Sequence, residues 1–517
     1  MGRRSLLCAA LVVCLLAAAC TRDGDSETAE VGGVLRVGIT APGSLDPAQA
    51  RSLEEVLIAD QLFGTLTTFD SEKGVAAPGL ALRWESSADQ LIWDFFLDPD
   101  ARFSDDRPVT GADVKWSYER VARRGSGSAG AELLEMVSGF PAFGRDGSVP
   151  ELAGVAVVTP TRVRITLDQP LSVLPVVLSS PVLGIVPKVD GSETDFEAAP
   201  VGSGPFALSA RGPDVIALIA AGDGVLLDGI EFHIYEDLAK AYDAFIKGDV
   251  DWSRVPPERV EDATVRFGDD GFVPYAGELV FAFNLKNPKF ADSRVRQAIV
   301  KAIDRDSLVR AVYGTTVEPL NSITVKGVPG FQSNACGVLC DHDVREASQL
   351  LEEARGGQPP LQVALDYDDD PTQEAVARAI QSNLEQVGIT AELRPKSLGD
   401  YQNFVLSGQQ EIFRLGWIAP YPSADAFLYP LFTTGSPSNL TGYSVPAVDA
   451  QLRTARAERD RDKRLELFRA AERAVMTSVP VIPLAQLMVH SVIAEDVKGL
   501  KMSVMGTFDA ATVSKKG

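Results

Sequence analysis

Apolar and polar positions alternate through VLRVGIT, 34 to 40, which predicts a strand. They change to helical spacing in 54 to 66, where Val56, Ile58, Ala59 and Leu62 fall on one side. From 84 to 121 the pattern predicts strand, turn, strand and then a helix. Thr110 is its N-cap, and Asp113 three residues later completes a T-x-x-D capping signal ahead of Val114, Tyr118 and Val121. Two short strands around a Thr-Pro turn are expected in 152 to 170. Residues 239 to 256 predict a helix stopped at Gly248 and then a strand, and 279 to 285 a further strand. Val295, Ala298, Ile299, Ala302 and Ile303 predict one helix over 292 to 314, ended by Gly314. The strand 360 to 367, a helix with the stripe Val376, Ile380, Leu384 and Val387, Gly388, and the strand ITAEL read as a βαβ unit. This alternation, without repeats or low-complexity tracts, sets the class as α/β.

The start of the chain has a different character. Arg3 and Arg4 precede an apolar run over 6 to 20 that is shorter than the roughly 20 residues a membrane span needs, so it reads as an export signal. Leu16, Ala17, Ala18, Ala19 and Cys20 resemble the lipobox of bacterial lipoproteins, in which the cysteine becomes the N-terminus and carries lipid. The leucine usual three places before the cysteine is Ala17 here. A plain secretory signal cleaved nearby is the other reading, and the Arg3-Arg4 pair leaves twin-arginine export open beside the general route. Residues 21 to 33 are polar and end in Gly32-Gly33, as a tether would.

Lys and Arg number 49 against 71 Asp and Glu, a net charge of −22, which excludes the positive surface that nucleic acid requires. At 45% hydrophobic and 23% charged residues the 517-residue chain is globular, with room for two to four domains at about 150 residues each. Of five cysteines only Cys336 and Cys340 remain beyond Cys20, and outside the cytoplasm such a pair predicts a small disulfide. A metal site would add Asp341 and His342, but a second ligand pair is missing, since His233 and His490 lie far off in sequence. No nucleophile elbow, Walker loop, HExxH pair or GxGxxG after a strand occurs, and Gly202-Ser203-Gly204-Pro205 reads as a turn. His233 sits in an alternating strand as a structural histidine. Binding without catalysis, cofactor or metal is the expectation.

Six segments in order carry a family resemblance: 63 to 70, 77 to 85, FSDDRPVTGADVKWSYER at 103 to 120, GSGPF at 202 to 206, 291 to 306, and LGWIAPYPSADAFLYPLF at 415 to 432. They resemble the family 5 solute-binding proteins of bacterial ABC importers, which include oligopeptide, dipeptide and nickel receptors. The resemblance implies a two-lobed periplasmic-binding-protein fold of class C type, α/β, with a hinge and an inserted domain. Lobe one would comprise 34 to 66, 198 to 280 and 488 to 517, the inserted domain 67 to 197, and lobe two 281 to 487. It also implies a membrane-anchored monomer outside the cell membrane or in the periplasm, whose partners are a small or peptide-like solute and an ABC permease with its ATPase subunits. An extracellular enzyme or a sensor on the same scaffold is the alternative.

The resemblance places ligand contacts at Trp417, Arg414, Pro420, Tyr421, Asn284 and Asn439. Trp417 ends a strand and offers an indole for stacking. Arg414 stands where some oligopeptide receptors meet a ligand carboxylate, an internal salt bridge being its other reading. Pro420 occupies the position of the acid that pairs with a peptide's α-amino group, and Ser423 that of a second family acid, so the peptide anchor is missing. Asp425 is a candidate substitute or a helix N-cap. Asn284 and Asn439 fall at cleft positions or serve as turn residues. The acids of 366 to 371 read as a solvated cap or a cation site.

Overall fold

The structure is a computed structural model that describes residues 32–189, 196, 198–222 and 224–515. The export signal, Cys20 and nearly all of the tether lie outside the described residues.

Strand β1 (Val34–Thr40) opens the described chain, and helix α1 (Leu53–Leu62) follows, capped reciprocally by Ser52 and Glu55. The helix stops at Leu62, short of the expected 66. The GSGPF segment presses on that end: a Cβ at Gly202 would lie 1.8 Å from the Leu62 carbonyl oxygen, so only glycine fits there. A hairpin, β2 (Thr67–Asp70) and β3 (Val75–Pro78), leads to β4 (Ala81–Ser86) and β5 (Ile92–Leu97). Helix α2 (Gly111–Ala122) begins where Asp113 accepts the Thr110 N–H at 2.8 Å, as the capping signal predicts. Strands β6 (Val155–Thr159) and β7 (Arg162–Thr166) complete a four-stranded antiparallel sheet in the order β4-β5-β7-β6, and the short α3 (Leu174–Val177) follows.

The chain then returns to β1 through β8 (Phe206–Arg211), β9 (Val215–Ala220) and β10 (Gly229–Tyr235). Helix α4 (Leu238–Lys247) ends at Gly248 as predicted, and β11 (Trp252–Arg254) and α5 (Val260–Phe267) come next. The strand expected at 279 to 285 is the end of a longer one, β12 (Phe272–Phe283).

The single helix expected over 292 to 314 is two, α6 (Ser293–Ala302) and α7 (Arg305–Tyr313). Apolar spacing runs through the break, but Asp304 is a cap, its carboxylate accepting the Ser307 N–H at 3.1 Å. Strand β13 (Val317–Pro319) and helix α8 (Val344–Arg355) precede β14 (Gln362–Asp368), α9 (Pro371–Glu385) and β15 (Thr390–Lys396), the predicted βαβ unit. Helix α10 (Leu398–Leu406), β16 (Ile412–Ile418), α11 (Asp425–Phe432), α12 (Pro446–Ala457), α13 (Arg461–Thr477) and the long β17 (Val481–Ile493) follow. The short pair β18 (Val497–Lys498) and β19 (Ser514–Lys515) closes the chain.

One large sheet runs β15-β14-β16-β12-β17-β11-β1-β10-β9-β8, with β13 joined to β17. Its halves meet only through the antiparallel pair β12 and β17. Phe272–Pro274 face Met488–His490, and the ladder resumes at Glu278 against Gln486 after an interruption. Leu35, Val37, Ile58, Phe232 and Trp252 fill a core in the β1 half. A larger core, including Phe95, Tyr118, Phe283, Ile299, Leu365 and Phe427, spans the four-stranded sheet and the β12–β16 half.

Candidate solute-binding crevice

The parallel strands β14, β15 and β16 place β14 in the middle. The chain leaves β14 through α9 to reach β15 on one side, then crosses through α10 to β16 on the other. In open parallel sheets ligands settle in the crevice outside the carboxyl ends of strands whose crossovers diverge in this way. Asp368 ends β14 there, Asp370 caps α9 by accepting the Thr372 N–H at 2.8 Å, and Arg414 and the 419 to 424 loop belong to β16 and its exit.

Arg414 stands 3.5 Å from Asp368, Nη1 to Oδ1, with 27% and 11% of the two side chains exposed. The pair is loose. The Arg414 Nε and the Asp368 Oδ1 are both buried and have no hydrogen-bond partner among the described residues. The Tyr401 hydroxyl donates to the Arg414 carbonyl and fixes the backbone. Burial pushes the Tyr313 phenol up in pKa, while a hydrogen bond with Gln373 and the Arg414 charge draw it back, which places Tyr313 beside the same guanidinium. A cation so incompletely matched can take up a second anion.

The acids at 366 to 371 are therefore not one solvated cap. Only Asp370 acts that way. Asp366 is fully buried, receiving Arg394 Nη2 and the Glu411 N–H at 2.9 Å each, and burial raises its pKa.

Trp417 does not share the Arg414 face. Residues three apart on a strand point to opposite sides, and the Trp417 indole N–H is spent on the Ala426 carbonyl at 2.8 Å, with the ring against the larger core. Gly416 and the exposed Ile418 accompany Arg414 instead. Pro420 is half-buried in the exit loop. Tyr421 is buried, and its hydroxyl donates to Asp425 at 2.8 Å; burial first, then the Asp425 charge, push its pKa well up.

Asp425 is neither N-cap nor free acid. It is the first residue of α11, wholly buried, 3.2 Å from Arg456 Nε, and the Arg456 guanidinium lies 3.7 Å over the Tyr429 ring. The carboxylate thus faces an internal cation, although its Oδ1 and the Arg456 Nε have no hydrogen-bond partner among the described residues.

Asn284 and Asn439 each tie down local backbone, the turn role the sequence left open for them. The Asn284 amide donates to the Gly408 and Gln410 carbonyls and accepts the Lys286 N–H. Asn439 donates to the Thr433 and Tyr443 carbonyls and accepts from Thr441 and Tyr443. Cys336 and Cys340 are joined by a disulfide, their Cα atoms 5.6 Å apart, and both are buried. No group of three potential metal-ligating side chains occurs among the described residues.

Two buried acids had no signal in the sequence pattern. Glu472 takes the Ile323 and Thr324 N–H groups at 2.7 and 2.8 Å and so organises an irregular segment. Glu278 lies where the β12–β17 ladder resumes, buried, with its Oε2 unpartnered among the described residues; burial and the Glu472 charge push its pKa well up.

Known proteins share this architecture. The murein peptide-binding protein MppA of Escherichia coli is 26% identical over 502 residues, 93% of each chain. The probable deoxycholate-binding periplasmic protein YgiS of the same organism is 26% identical, covering 86% of each. The unliganded open form of MppA superposes with a TM-score of 0.84 at 25% identity, covering 94% of this chain and 99% of that one. The model of bacterial extracellular solute-binding proteins, family 5 Middle, matches residues 76–439, well over half the chain. With that match added to the two-part sheet, this chain belongs to family 5 of the bacterial extracellular solute-binding proteins.

Proposed function

We propose that the protein is an extracytoplasmic receptor, tethered through lipid on Cys20, that captures a peptide-like or other small solute with an anionic end and delivers it as a monomer to an ABC permease. The observation that carries this reading is Arg414, half-matched by Asp368 in the crevice at the carboxyl ends of β14 and β16. Relatives described as murein peptide-binding and deoxycholate-binding support a solute range wider than ordinary peptides. In this reading lobe one (34 to 66, 198 to 280, 488 to 517) and lobe two (281 to 487) close on the solute, with 67 to 197 as the inserted domain. A ligand that touches both lobes only when they approach stabilises the closed form, which is what a permease can recognise.

Selectivity follows from what the crevice loop omits. An ordinary peptide brings an ammonium group that must give up its water, and neither Pro420 nor Ser423 can compensate it. A carboxylate end meets Arg414 instead. Calorimetric titration of free and N-acetylated versions of one peptide set tests this: acetylation should help or be harmless. Tight binding of free peptides that acetylation abolishes would overturn the reading. For the anchor, Cys20→Ala should release the protein from membranes and remove the lipid mass from the N-terminus; unchanged fractionation and mass would refute it.

A further inference from the structure

A hollow of about 640 Å3 opens where the four-stranded sheet meets the turn between α12 and α13. Its apolar and aromatic lining comes from Trp84 of β4, Val173 and Val176, and from Phe468 of α13. Its basic lining is Arg459, Arg461 and Arg464. Arg464 is partly buried, and its Nη1 donates to the Glu458 and Arg459 carbonyls at 2.9 and 3.2 Å. Among the described residues no carboxylate comes within 4.0 Å of either Arg464 or Arg459. Arg461 has only the exposed Asp462 at 3.5 Å and the Lys73 carbonyl at 3.0 Å.

The acid bordering this hollow, Glu85, is already paired with Arg83. Burial first, then the nearby Arg461 charge, depress the Arg464 pKa, while the charges of Glu458, Asp425 and Asp460 act from farther off in the opposite sense. The Ser172 Oγ in the same lining is buried without a hydrogen-bond partner among the described residues. Three guanidinium groups thus gather beside an aromatic ring, and only Arg461 among them has a carboxylate within 4.0 Å among the described residues.

We propose that this hollow, which borders the β16 exit loop at Pro422 and Ser423 but does not include Arg414, is a second binding site for a small organic anion: its carboxylate or phosphate meets Arg464 and Arg461, and its apolar body lies against Trp84. Guanidinium groups hold either oxyanion through paired N–H donors, and Ser172 supplies a hydroxyl. An occupant would touch both the four-stranded sheet, through Trp84, and α13, through Arg461 and Arg464.

The test is calorimetric titration of the ligand-stripped mature chain with 1-naphthoate, 1-naphthyl phosphate and the uncharged 1-naphthamide. Saturable binding of at least one anion is expected, at least about tenfold tighter than the amide, and the tighter anion identifies the head group. Arg464→Gln should weaken it by a similar factor, while Arg414→Gln should leave it unchanged. Arg459→Gln, at an exposed position, should also weaken binding and serves if Arg464→Gln does not fold. Absence of saturation, equal affinity for the amide, or loss on Arg414→Gln with retention in both the Arg464→Gln and Arg459→Gln variants would overturn the proposal. Because that last pattern points to the main crevice, failure here is separable from failure of the receptor reading.

Discussion

Arg414 and Trp417 leave β16 from opposite faces: the guanidinium turns to Asp368 at 3.5 Å, and the indole N–H closes on the Ala426 carbonyl at 2.8 Å. The first is an open-ended pair with orphaned atoms on both partners, the second a satisfied core contact. The ion pair and the aromatic packing are thus divided between the two sides of one strand.

Removing Arg414 should therefore act on both binding and stability. Arg414→Gln strands the mostly buried Asp368 carboxylate, so urea unfolding of the solute-free protein should show a loss of about 1–2 kcal/mol. Adding Asp368→Asn should recover most of it. Affinity for solutes with a free carboxylate should fall roughly tenfold or more in both variants, as expected for a lost charge-assisted bond. Unaltered affinity would remove Arg414 from the site.

Asp425 should behave as a structural acid. Asp425→Asn leaves Arg456 charged and buried, which costs about 3–5 kcal/mol when such a pair is broken. Replacing both, Asp425→Leu with Arg456→Met, should be milder than either change alone. If Asp425→Asn kept full stability in thermal unfolding and lost free-amino peptides, Asp425 would be a ligand anchor after all.

Glu278 makes stability depend on pH. Its pKa in the folded chain is well above the ordinary value of about 4.3, so between those two values the folded protein holds a proton that the unfolded chain has released. Stability from this group is complete below the unfolded value and is lost as pH rises toward the folded one. Glu278→Gln keeps the shape without the titration. The variant should gain thermal stability relative to the parent, and the gain should widen between about pH 5 and pH 8. A constant difference across that range would show that Glu278 ionises freely.

The Cys336–Cys340 bond encloses a very short loop, so little unfolded-chain entropy is removed. Reduction should add two hydrogens to the intact mass, yet lower stability by well under the roughly 3 kcal/mol expected of a fifteen-residue loop. Two free thiols in the non-reduced protein would refute the bond.

Local chemistry explains which elements were legible. The T-x-x-D cap at Thr110, the αL stop at Gly248 and the βαβ unit at 360 to 393 depend on neighbours in sequence, and their signals were read directly. The break at Asp304 was written just as locally, but the apolar spacing from Val295 to Ile303 drew the eye past a capping residue. Strand alternation alone places Trp417 on the face of β16 opposite Arg414. The partnership of Asp425 with Arg456 and the burial of Glu278 beside Glu472 depend on segments that only folding brings together. No pattern in one segment could announce them.

Three residues of β12, Tyr275, Ala276 and Gly277, stand opposite Leu487 alone, and a second, smaller register shift follows between Leu279 and Val280. A link made of two bonded strands resists swivelling, because rotation about either axis would shear the ladder; bending is cheap where the ladder is already interrupted. Such a joint is built as a leaf spring, weakest at the longer interruption between Pro274 and Glu278, rather than as a universal joint. The two halves of the sheet can part or meet along a single arc, and a residue added at 275 to 277 should reset the resting angle of that arc while leaving both ladders intact.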